Sequence, residues 1–368
     1  DVQWPAQHPA YGRKLVEKLV GNLLRACQEL LFNSFFPVLQ PAIKVGSAFE
    51  GWAPREDDAV YCLLLPLKPP RGHTFHLELD TPEEIPVTNS RVRVELKCTC
   101  MEVQLVGKML CFVHRPEQEL RRNQGPSLLH TLCTDSYLDV EKTAHWFQSF
   151  VSSAWARVPQ SRSYDMKVLP SSRSCKLQLT DTSGRTALVE IIFGVQQGDS
   201  DIFLSSEGRD DIFLTRSTIW PESYAVAEAK FFSHVARQAP RNSFHLKCLQ
   251  LWASILEGTG FTTYTLKTVV MHLLATTPLS GWRRRDFLLR LEDIMRLLHC
   301  CLEDKCLVHF FFGNENVPEE IILPPAFKTA KPYNLFYHLL HSPADHAQAL
   351  RDYMELQDRL ITLLYYGH

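Results

Sequence analysis

The spacing of apolar residues changes along this chain, and the change limits the folds open to it. Between Tyr11 and Phe32, apolar residues recur every three or four positions, which predicts a long amphipathic helix. Between Val45 and Phe112 the period becomes two, which is typical of strands. From Tyr224 onward the helical period returns almost throughout. The pattern predicts a first half that contains a sheet and a second half that is helical.

The first half mixes both kinds of element. Strands are predicted in "AVYCLLLPL", "TFHLEL", "VRVELKCTCMEVQLV" and "MLCFV", and a second helix is predicted from Leu138 to Val158. Two more strands, "SCKLQLTD" and "TALVEIIFGV", follow that helix and are joined by the turn "TSGR". The fold class is therefore α+β with a mixed, twisted sheet, and we expect one domain over residues 1–220 and a helical one over 221–368.

Bulk composition excludes several classes of function. A formal net charge of −2 gives no overall attraction for nucleic acid or anionic lipid. The eleven cysteines are odd in number and several lie in apolar runs, which favours a reducing compartment. No apolar stretch reaches the length of about 18–20 residues that spans a bilayer. Because the chain begins at Asp1 without an initiator Met, we expect a fragment whose signal or membrane anchor lies upstream.

The segment "VGSAFEGWAPREDDAVYCLLLPL" carries the main candidate site. Strand geometry would place Glu56 and Asp58 on one face, where their carboxylates could share a magnesium ion with substrate phosphates. Gly46 and Ser47 would offer a close backbone approach and a hydroxyl to a phosphate. The alternative is a solvated turn ahead of a buried strand.

A third carboxylate strengthens the metal hypothesis. Glu190 lies in the middle of the predicted strand "TALVEIIFGV", where a carboxylate needs a partner or a metal. The solvent face of an edge strand is the alternative position for it.

These motifs carry a family resemblance. The Gly-Ser and acidic-strand segment resembles that of the Mab-twenty-one (male abnormal) family, which shares a nucleotidyltransferase fold with cyclic GMP-AMP synthase. The segments "WPESYAVAEAKFFSHVARQAP", "FHLKCLQLWASILEG", "FTTYTLKTVVMHLL" and "DFLLRLEDIMRLLHCCLEDKCLVHFFF" resemble the family's second-lobe motifs in order. At closer range the chain is similar to the inositol trisphosphate receptor-interacting protein branch and its like-proteins.

The resemblance implies a bilobal nucleotidyltransferase-like fold with a long spine helix and a cleft between the lobes. It implies magnesium ligation by Glu56, Asp58 and Glu190, phosphate contact by Ser47, and base stacking by Tyr264. For Tyr264 a core residue at a helix start is the alternative.

Two departures count against catalysis. The loop before Glu56 is shorter than in cyclic GMP-AMP synthase, and Gln250 and Ala253 stand where that enzyme presents lysines to the triphosphate. Without one charge-assisted hydrogen bond of about 1.5–3 kcal/mol, binding weakens about tenfold to a hundredfold. Lys247, one helical turn away, is the candidate substitute. Glu190 is also longer by one methylene than the usual Asp, which disturbs a tight octahedral site.

Two further groups have alternative interpretations. The segment "HCCLEDKCLVH" suggests a zinc site whose ligands would be His299, Cys300, Cys301, Cys306 and His309. The same residues fit a core helix, so we do not expect zinc there. The run Arg283, Arg284 and Arg285 fits either a site for inositol phosphate, lipid headgroups or an acidic partner, or a solvated helix start.

We interpret the chain as a pseudo-nucleotidyltransferase. By resemblance it is a non-catalytic regulatory module of a membrane-associated protein of the plasma membrane, endoplasmic reticulum or nuclear envelope. The resemblance implies that the module faces the cytosol, binds the inositol trisphosphate receptor and modulates calcium release. The second hypothesis is a magnesium-dependent nucleotidyltransferase that makes a nucleotide second messenger, and the third is a receptor-binding ligand domain at the cell surface. DNA is not expected as a partner, because the zinc loop that serves DNA binding in cyclic GMP-AMP synthase is missing.

Overall fold

The computed structural model describes residues 9–55, 59–79, 90–101, 109–207 and 216–366. The chain forms two compact units. The first unit contains Asp1–Phe49 and Val60–Val226, and the second contains Glu50–Ala59 and Ala227–His368. The segment of residues 50–59 therefore belongs to the second unit although the first unit surrounds it in sequence.

The first unit is built from helices and two sheets. Its helices are α1 (Pro9–Leu30), α2 (Ser47–Glu50), whose last residue is counted in the second unit, α3 (Glu117–Asn123), α4 (Leu128–Thr131) and α5 (Val140–Trp155), with a 3₁₀ turn at Pro159–Arg162. Its strands are β1 (Val38–Leu39), β2 (Ile43–Val45), β3 (Val60–Lys68), β4 (His73–Glu78), β5 (Arg91–Leu96), β6 (Cys133–Thr134), β7 (Tyr137–Leu138), β8 (Tyr164–Leu169), β9 (Cys175–Asp181), β10 (Thr186–Gln196), β11 (Phe203–Ser205) and β12 (Glu222–Ser223).

The larger sheet is mixed, as the sequence predicts. β3 and β10 pair in parallel, with Leu188 opposite Val60, while β1 and β2 join β3 in antiparallel register. On its other side β10 pairs antiparallel with β9 and β11, and β8 and β12 extend those strands. The smaller antiparallel sheet has the order β4-β5-β7-β6. The α+β class is thus confirmed.

The core of the first unit lies between the larger sheet and two long helices. α1 and α5 pack on each other, and each buries the apolar stripe that its sequence predicts. The stripe of α5 includes Val140, Phe147 and Val151, none of which is exposed. Asp139 starts α5 by accepting a hydrogen bond from the Lys142 N–H at 3.0 Å. The periodicity therefore located both helices correctly.

One predicted strand was too long, and another was wrong. The run from Val92 to Val106 continues as strand β5 only to Leu96. Residues 97–99 are irregular, residues 100–101 form a turn, and residues 102–108 lie outside the described ranges. The segment from Met109 to Val113 is irregular up to Cys111 and becomes a turn at Phe112. The Lys97 N–H donates to the Gly72 carbonyl at 2.8 Å, and this bond precedes the turn. An alternating apolar pattern cannot distinguish such a turn from a strand.

The second unit is helical over its described residues apart from loops and isolated bridges. Its helices are α6 (Ala225–Gln238), whose first two residues are counted in the first unit, α7 (His245–Ile255), α8 (Thr263–Thr276), α9 (Phe287–Glu303), α10 (Pro325–Thr329), α11 (Tyr337–His341) and α12 (Pro343–Tyr366), with 3₁₀ turns at Leu279–Gly281 and Arg284–Asp286. α7, α8, α9 and α12 pack on one another. Among the helices in the described ranges, none has the length and hydropathy of a membrane span.

Candidate functional site

Gly46 and Ser47 follow directly from strand β2. Gly46 has φ +81°, a left-handed conformation that other residues rarely adopt, and Ser47 begins the short helix α2. Val45 pairs with Cys62 on β3, and Glu190 on β10 pairs with the same Cys62 from the other side. Since neighbouring strands lie about 4.8 Å apart, the backbones of Val45 and Glu190 are about 10 Å apart. The sheet register therefore brings these predicted site residues of the first unit together.

The Glu190 carboxylate already has partners within the first unit. β10 lies inside the sheet, so Glu190 is not on an edge strand. The Ser174 hydroxyl donates to Glu190 Oε1 at 2.6 Å, and Lys176 Nζ, on the facing residue of β9, lies 3.8 Å from the same oxygen. The side chain is 25% exposed. A hydroxyl and an ammonium supply the compensation that a mid-strand carboxylate needs.

Magnesium ligation stays a prediction. Two of its predicted ligands, Glu56 and Asp58, lie outside the described residues. The Lys176 ammonium beside Glu190 offsets the negative charge that a magnesium ion would require of that carboxylate. The described residues therefore do not by themselves fit a magnesium site, and we derive no step through the metal.

The segment that leads to Glu56 is anchored in the second unit by a buried ion triad. Lys267 Nζ lies 3.0 Å from Glu50 Oε1 and 2.5 Å from Glu228 Oε2. The three side chains are between 3% and 7% exposed. The Trp52 indole N–H donates to Glu50 Oε2 at 2.7 Å, and Lys267 Nζ lies 5.6 Å from the centre of that indole ring. The triad fixes residues 50–52 against helices α6 and α8.

The pKa values of both Glu228 and Lys267 are raised in this triad. Burial raises the pKa of Glu228 and outweighs the opposing effect of Lys267. Burial alone would lower the pKa of Lys267, but the two carboxylates outweigh burial and raise it. The ammonium therefore stays charged across the accessible pH range.

By the sequence resemblance, α7 is the predicted counterpart of the helix that meets the triphosphate in cyclic GMP-AMP synthase, and two of its polar side chains have protein partners. The Gln250 amide donates to the Ala53 carbonyl at 3.0 Å, and the exposed Lys247 donates to Gln250 Oε1 at 2.9 Å. Ala253 is buried. α7 thus supports the segment of residues 50–55 through Gln250, and Lys247 is the cation that this helix presents nearest to it.

Tyr264 lies in the first turn of α8 and is half-buried. Its hydroxyl lies 2.5 Å from Nε2 of the buried His309, and the two rings are 5.9 Å apart. Thr262 caps this helix by accepting from the Thr265 N–H at 3.2 Å. The hydroxyl of Tyr264 is therefore held within the second unit. Whether this unit brings Tyr264 and Lys247 to the Ser47 and Glu190 of the first stays a prediction.

The three arginines form an accessible basic patch. Asn242, Arg283, Arg284 and Arg285 line a shallow, open depression of the second unit. Arg285 is 3.7 Å from Asp286, and among the described residues no carboxylate pairs with Arg283 or Arg284. Ser243 and Arg283 form an isolated antiparallel bridge that holds the patch to the start of α7. This basic patch can receive an anion or an acidic segment.

The Cys and His residues of "HCCLEDKCLVH" make separate contacts. His309 uses Nε2 with Tyr264 and accepts from the Phe311 N–H at Nδ1, whereas His299 lies on α9 beside Tyr353, with ring centres 5.0 Å apart. In the part of the chain that the structure describes, this group does not gather three ligand atoms at one point.

A different group does converge, and the sequence analysis missed it. Cys98, Cys100, Cys111 and His114 place four ligand atoms within 4.8 Å of one another. The pattern Cys-x-Cys followed by Cys-x-x-His was the available signal, but it was obscured because the first pair was assigned to a strand. All eleven cysteines lie in described ranges, and none forms a disulfide.

The buried His245, at the start of α7, is expected to make the second unit less stable at low pH. Burial lowers its pKa to about 4, and among the described residues its Nε2 has no hydrogen-bond partner. The unfolded chain takes up a proton below about pH 6.5 while the folded chain does so only near pH 4, so stability falls as the pH drops through this window. We expect a loss of about 2–3 kcal/mol from this group between pH 7 and pH 4.5.

Urea unfolding at both pH values tests this expectation. His245→Gln should reduce the loss by about 2–3 kcal/mol, whereas the same change at the exposed His338 should leave it unaltered. An equal pH dependence in wild type and His245→Gln would contradict the assignment.

Comparison with known proteins gives consistent matches. Residues 242–321 match the family described as the Mab-21 protein HhH/H2TH-like domain. The inositol 1,4,5-trisphosphate receptor-interacting protein-like 1 of Rattus norvegicus is 36% identical over 364 residues, which cover 95% of this chain and 65% of that protein. The inositol 1,4,5-trisphosphate receptor-interacting protein of Homo sapiens is 31% identical over 350 residues, covering 88% of this chain and 63% of that protein.

The protein of Danio rerio with the same description as the human one is 30% identical over 349 residues. The chain spans 65% of the length of the rat and mouse like-1 proteins. Both the helical-unit match and the similarity along most of the chain agree with the motifs in the sequence. The chain therefore belongs to the Mab-21 family, in the branch of the inositol 1,4,5-trisphosphate receptor-interacting proteins and their like-proteins.

Proposed function

We propose that this chain is a non-catalytic binding module that interacts with the inositol trisphosphate receptor. The observation that carries the proposal is the similarity over 95% of the chain to a protein described as receptor-interacting-like. Relatives described as receptor-interacting proteins align over 88% or more of the chain. A similarity that runs through both units favours a role that uses the whole fold.

The candidate nucleotide site supports the non-catalytic part of the proposal. Gln250, at a position where cyclic GMP-AMP synthase presents a lysine, is bound to the Ala53 carbonyl, and Lys247 is bound to Gln250. In the first unit the Glu190 carboxylate is occupied by Ser174 and Lys176. A nucleotide bound at either place would have to displace the partners there, and each charge-assisted hydrogen bond that it could not form would lower its affinity about tenfold to a hundredfold.

The basic patch of Arg283, Arg284 and Arg285 is our candidate surface for the receptor. Its depression is open, and Arg284 and Arg285 are exposed. An acidic segment of the receptor would neutralise three neighbouring guanidinium groups, which form bidentate hydrogen bonds with carboxylates.

The location of the module and its effect on calcium release would follow from that partner. We propose that the module faces the cytosol and is held at the receptor's membrane by a part of the protein outside this chain. Binding there would place it where calcium release is controlled and would let it modulate that release.

A binding measurement on the immobilised chain tests the proposal. Detergent-solubilised receptor should be retained by the wild type, and the Arg283→Ala/Arg284→Ala/Arg285→Ala variant should lose about tenfold or more in affinity, since each exposed charge pair contributes up to about 1 kcal/mol. The Arg121→Ala/Arg122→Ala variant removes an exposed basic pair on α3 and should bind normally.

Two outcomes would overturn the proposal. One is a failure to retain the receptor at micromolar concentration. The other is magnesium-dependent binding of ATP or GTP, measured by calorimetry, that disappears in Glu190→Ala, because that result would point to an active nucleotidyltransferase.

A further inference from the structure

The strongest unassigned feature of the molecule is the cluster of Cys98, Cys100, Cys111 and His114 in the first unit. We propose that these four side chains form a zinc site, which joins the end of β5 to the segment that precedes α3. None of these four residues belongs to the basic patch or to the candidate nucleotide site, so the zinc site does not depend on the receptor role.

The spacing of the ligand atoms fits a single tetrahedral ion. His114 Nδ1 lies 3.1 Å from Cys100 Sγ, 3.4 Å from Cys98 Sγ and 3.7 Å from Cys111 Sγ. Zinc binds sulfur at about 2.3 Å and imidazole nitrogen at about 2.0–2.1 Å, which places neighbouring ligand atoms about 3.5–3.8 Å apart in a tetrahedron. All four atoms lie within 4.8 Å of one another, so small side-chain adjustments would complete the coordination.

Each half of the cluster is positioned by contacts outside it. On the first half, the bond from the Lys97 N–H to the Gly72 carbonyl fixes the chain where Cys98 leaves β5. On the second, the side chain of Gln124 accepts from the Leu110 N–H at 3.0 Å and donates to the Leu110 carbonyl at 3.1 Å. The ring of Phe112 packs on Phe35 with ring centres 4.7 Å apart. The ligands therefore converge because the fold places both halves, as a preformed metal site requires.

The surroundings of Cys111 favour a thiolate. Backbone N–H groups of Thr99, Val113 and His114 hydrogen-bond to its sulfur. The same amide hydrogen bonds would stabilise a metal-bound thiolate, because they spread the negative charge of the ligand set.

The ligand set selects the metal. Three thiolates and one imidazole suit zinc, whereas magnesium and calcium prefer oxygen ligands. Iron–sulfur clusters also use thiolates, but they need ligands arranged around several atoms, and here the ligand atoms converge on one point. A zinc ion would take three thiolates after their protons leave to solvent, and the site would carry a net charge of about −1.

Metal analysis of the purified chain is the first test. Chain produced in zinc-supplemented medium should contain about one zinc per molecule and no iron. The Cys98→Ser/Cys100→Ser variant changes two exposed residues and should retain less than about a tenth of that zinc, because two of four ligands are lost. The Cys300→Ser/Cys301→Ser variant changes the rival group of the sequence analysis and should keep the wild-type zinc content.

A second measurement uses only the wild type and does not depend on the folding of a variant. Cys98, Cys100 and Cys300 are all exposed. Treatment with iodoacetamide should modify Cys300 at once, whereas Cys98 and Cys100 should react only after a chelator has removed the zinc. Cobalt added to the chelated chain should give the absorption of a tetrahedral thiolate site.

Three results would overturn the proposal: a chain that takes up no zinc and whose Cys98 and Cys100 react as fast as Cys300, iron in place of zinc, or a disulfide between Cys98 and Cys100. Zinc that persists in Cys98→Ser/Cys100→Ser would equally place the metal elsewhere.

Discussion

Lys267→Met is expected to lower the free energy of unfolding of the second unit by about 3–5 kcal/mol. Methionine is unbranched like lysine and one atom shorter, and it carries no charge, so the substitution leaves Glu50 and Glu228 buried without their cation. Removing one partner of a buried ion pair costs far more than the pair contributes, because the remaining charge has lost its hydration. The loss should appear as a lower midpoint in urea, monitored by tryptophan fluorescence.

Two variants separate this cause from a loss of packing. The triple variant Lys267→Met/Glu50→Gln/Glu228→Gln removes the stranded charges and should recover much of the stability. Lys328 is exposed, so Lys328→Met should change stability by less than about 0.5 kcal/mol. A loss below about 1 kcal/mol in the single variant would show that the triad is not a buried ionic centre.

Trp220→Ala is expected to destabilise the first unit by about 3–5 kcal/mol. The Trp220 side chain is completely buried in the core of that unit. Its indole N–H donates to the Leu138 carbonyl at 2.8 Å, and its backbone N–H donates to the Ser90 carbonyl at 2.8 Å. Alanine would leave a cavity and an unpaired carbonyl, and both raise the free energy of the folded state.

The matched comparison for this position is Trp220→Phe, which keeps most of the apolar volume and loses the indole hydrogen bond. It should cost about 1–3 kcal/mol, while Phe32→Ala, at a residue that is 79% exposed, should cost less than about 0.5 kcal/mol. Equal effects of the alanine and phenylalanine variants in urea unfolding would show that the hydrogen bond, not the cavity, dominates.

Regular periodicity made most of the first unit predictable. The stripes of α1 and α5 and the continuous apolar run of β3 each report burial directly, because a helix or central strand must hide those residues. The irregular segment and turn that carry Cys98 and Cys100 were mistaken for a strand, because an alternating apolar pattern fits both. β5 ends where its pairing with β4 ends, at Leu96 opposite His73, and local sequence does not reveal that limit.

The sites were harder to predict, since their members are distant in sequence. Lys267 lies in the apolar run "TLKTVVMHLL", and its carboxylate partners are 39 and 217 positions away. Likewise, the chain contains two Cys and His groups of similar appearance, and only the fold decides which one converges. The predicted turn "TSGR" joins β9 to β10, so the pairing of Glu190 with Lys176 was accessible in principle, whereas its pairing with Cys62 joins strands that are distant in sequence.

The position of residues 50–59 in the second unit has a consequence for dividing the protein into pieces. A polypeptide that began after Val226 would contain Lys267 and Glu228 but would lack Glu50 and Trp52. Its lysine would keep one of its two carboxylates, and Gln250 would lose the Ala53 carbonyl. The helical unit is therefore not a self-sufficient piece of chain. It can be inherited, exchanged between proteins or expressed intact only together with a ten-residue strip encoded far upstream.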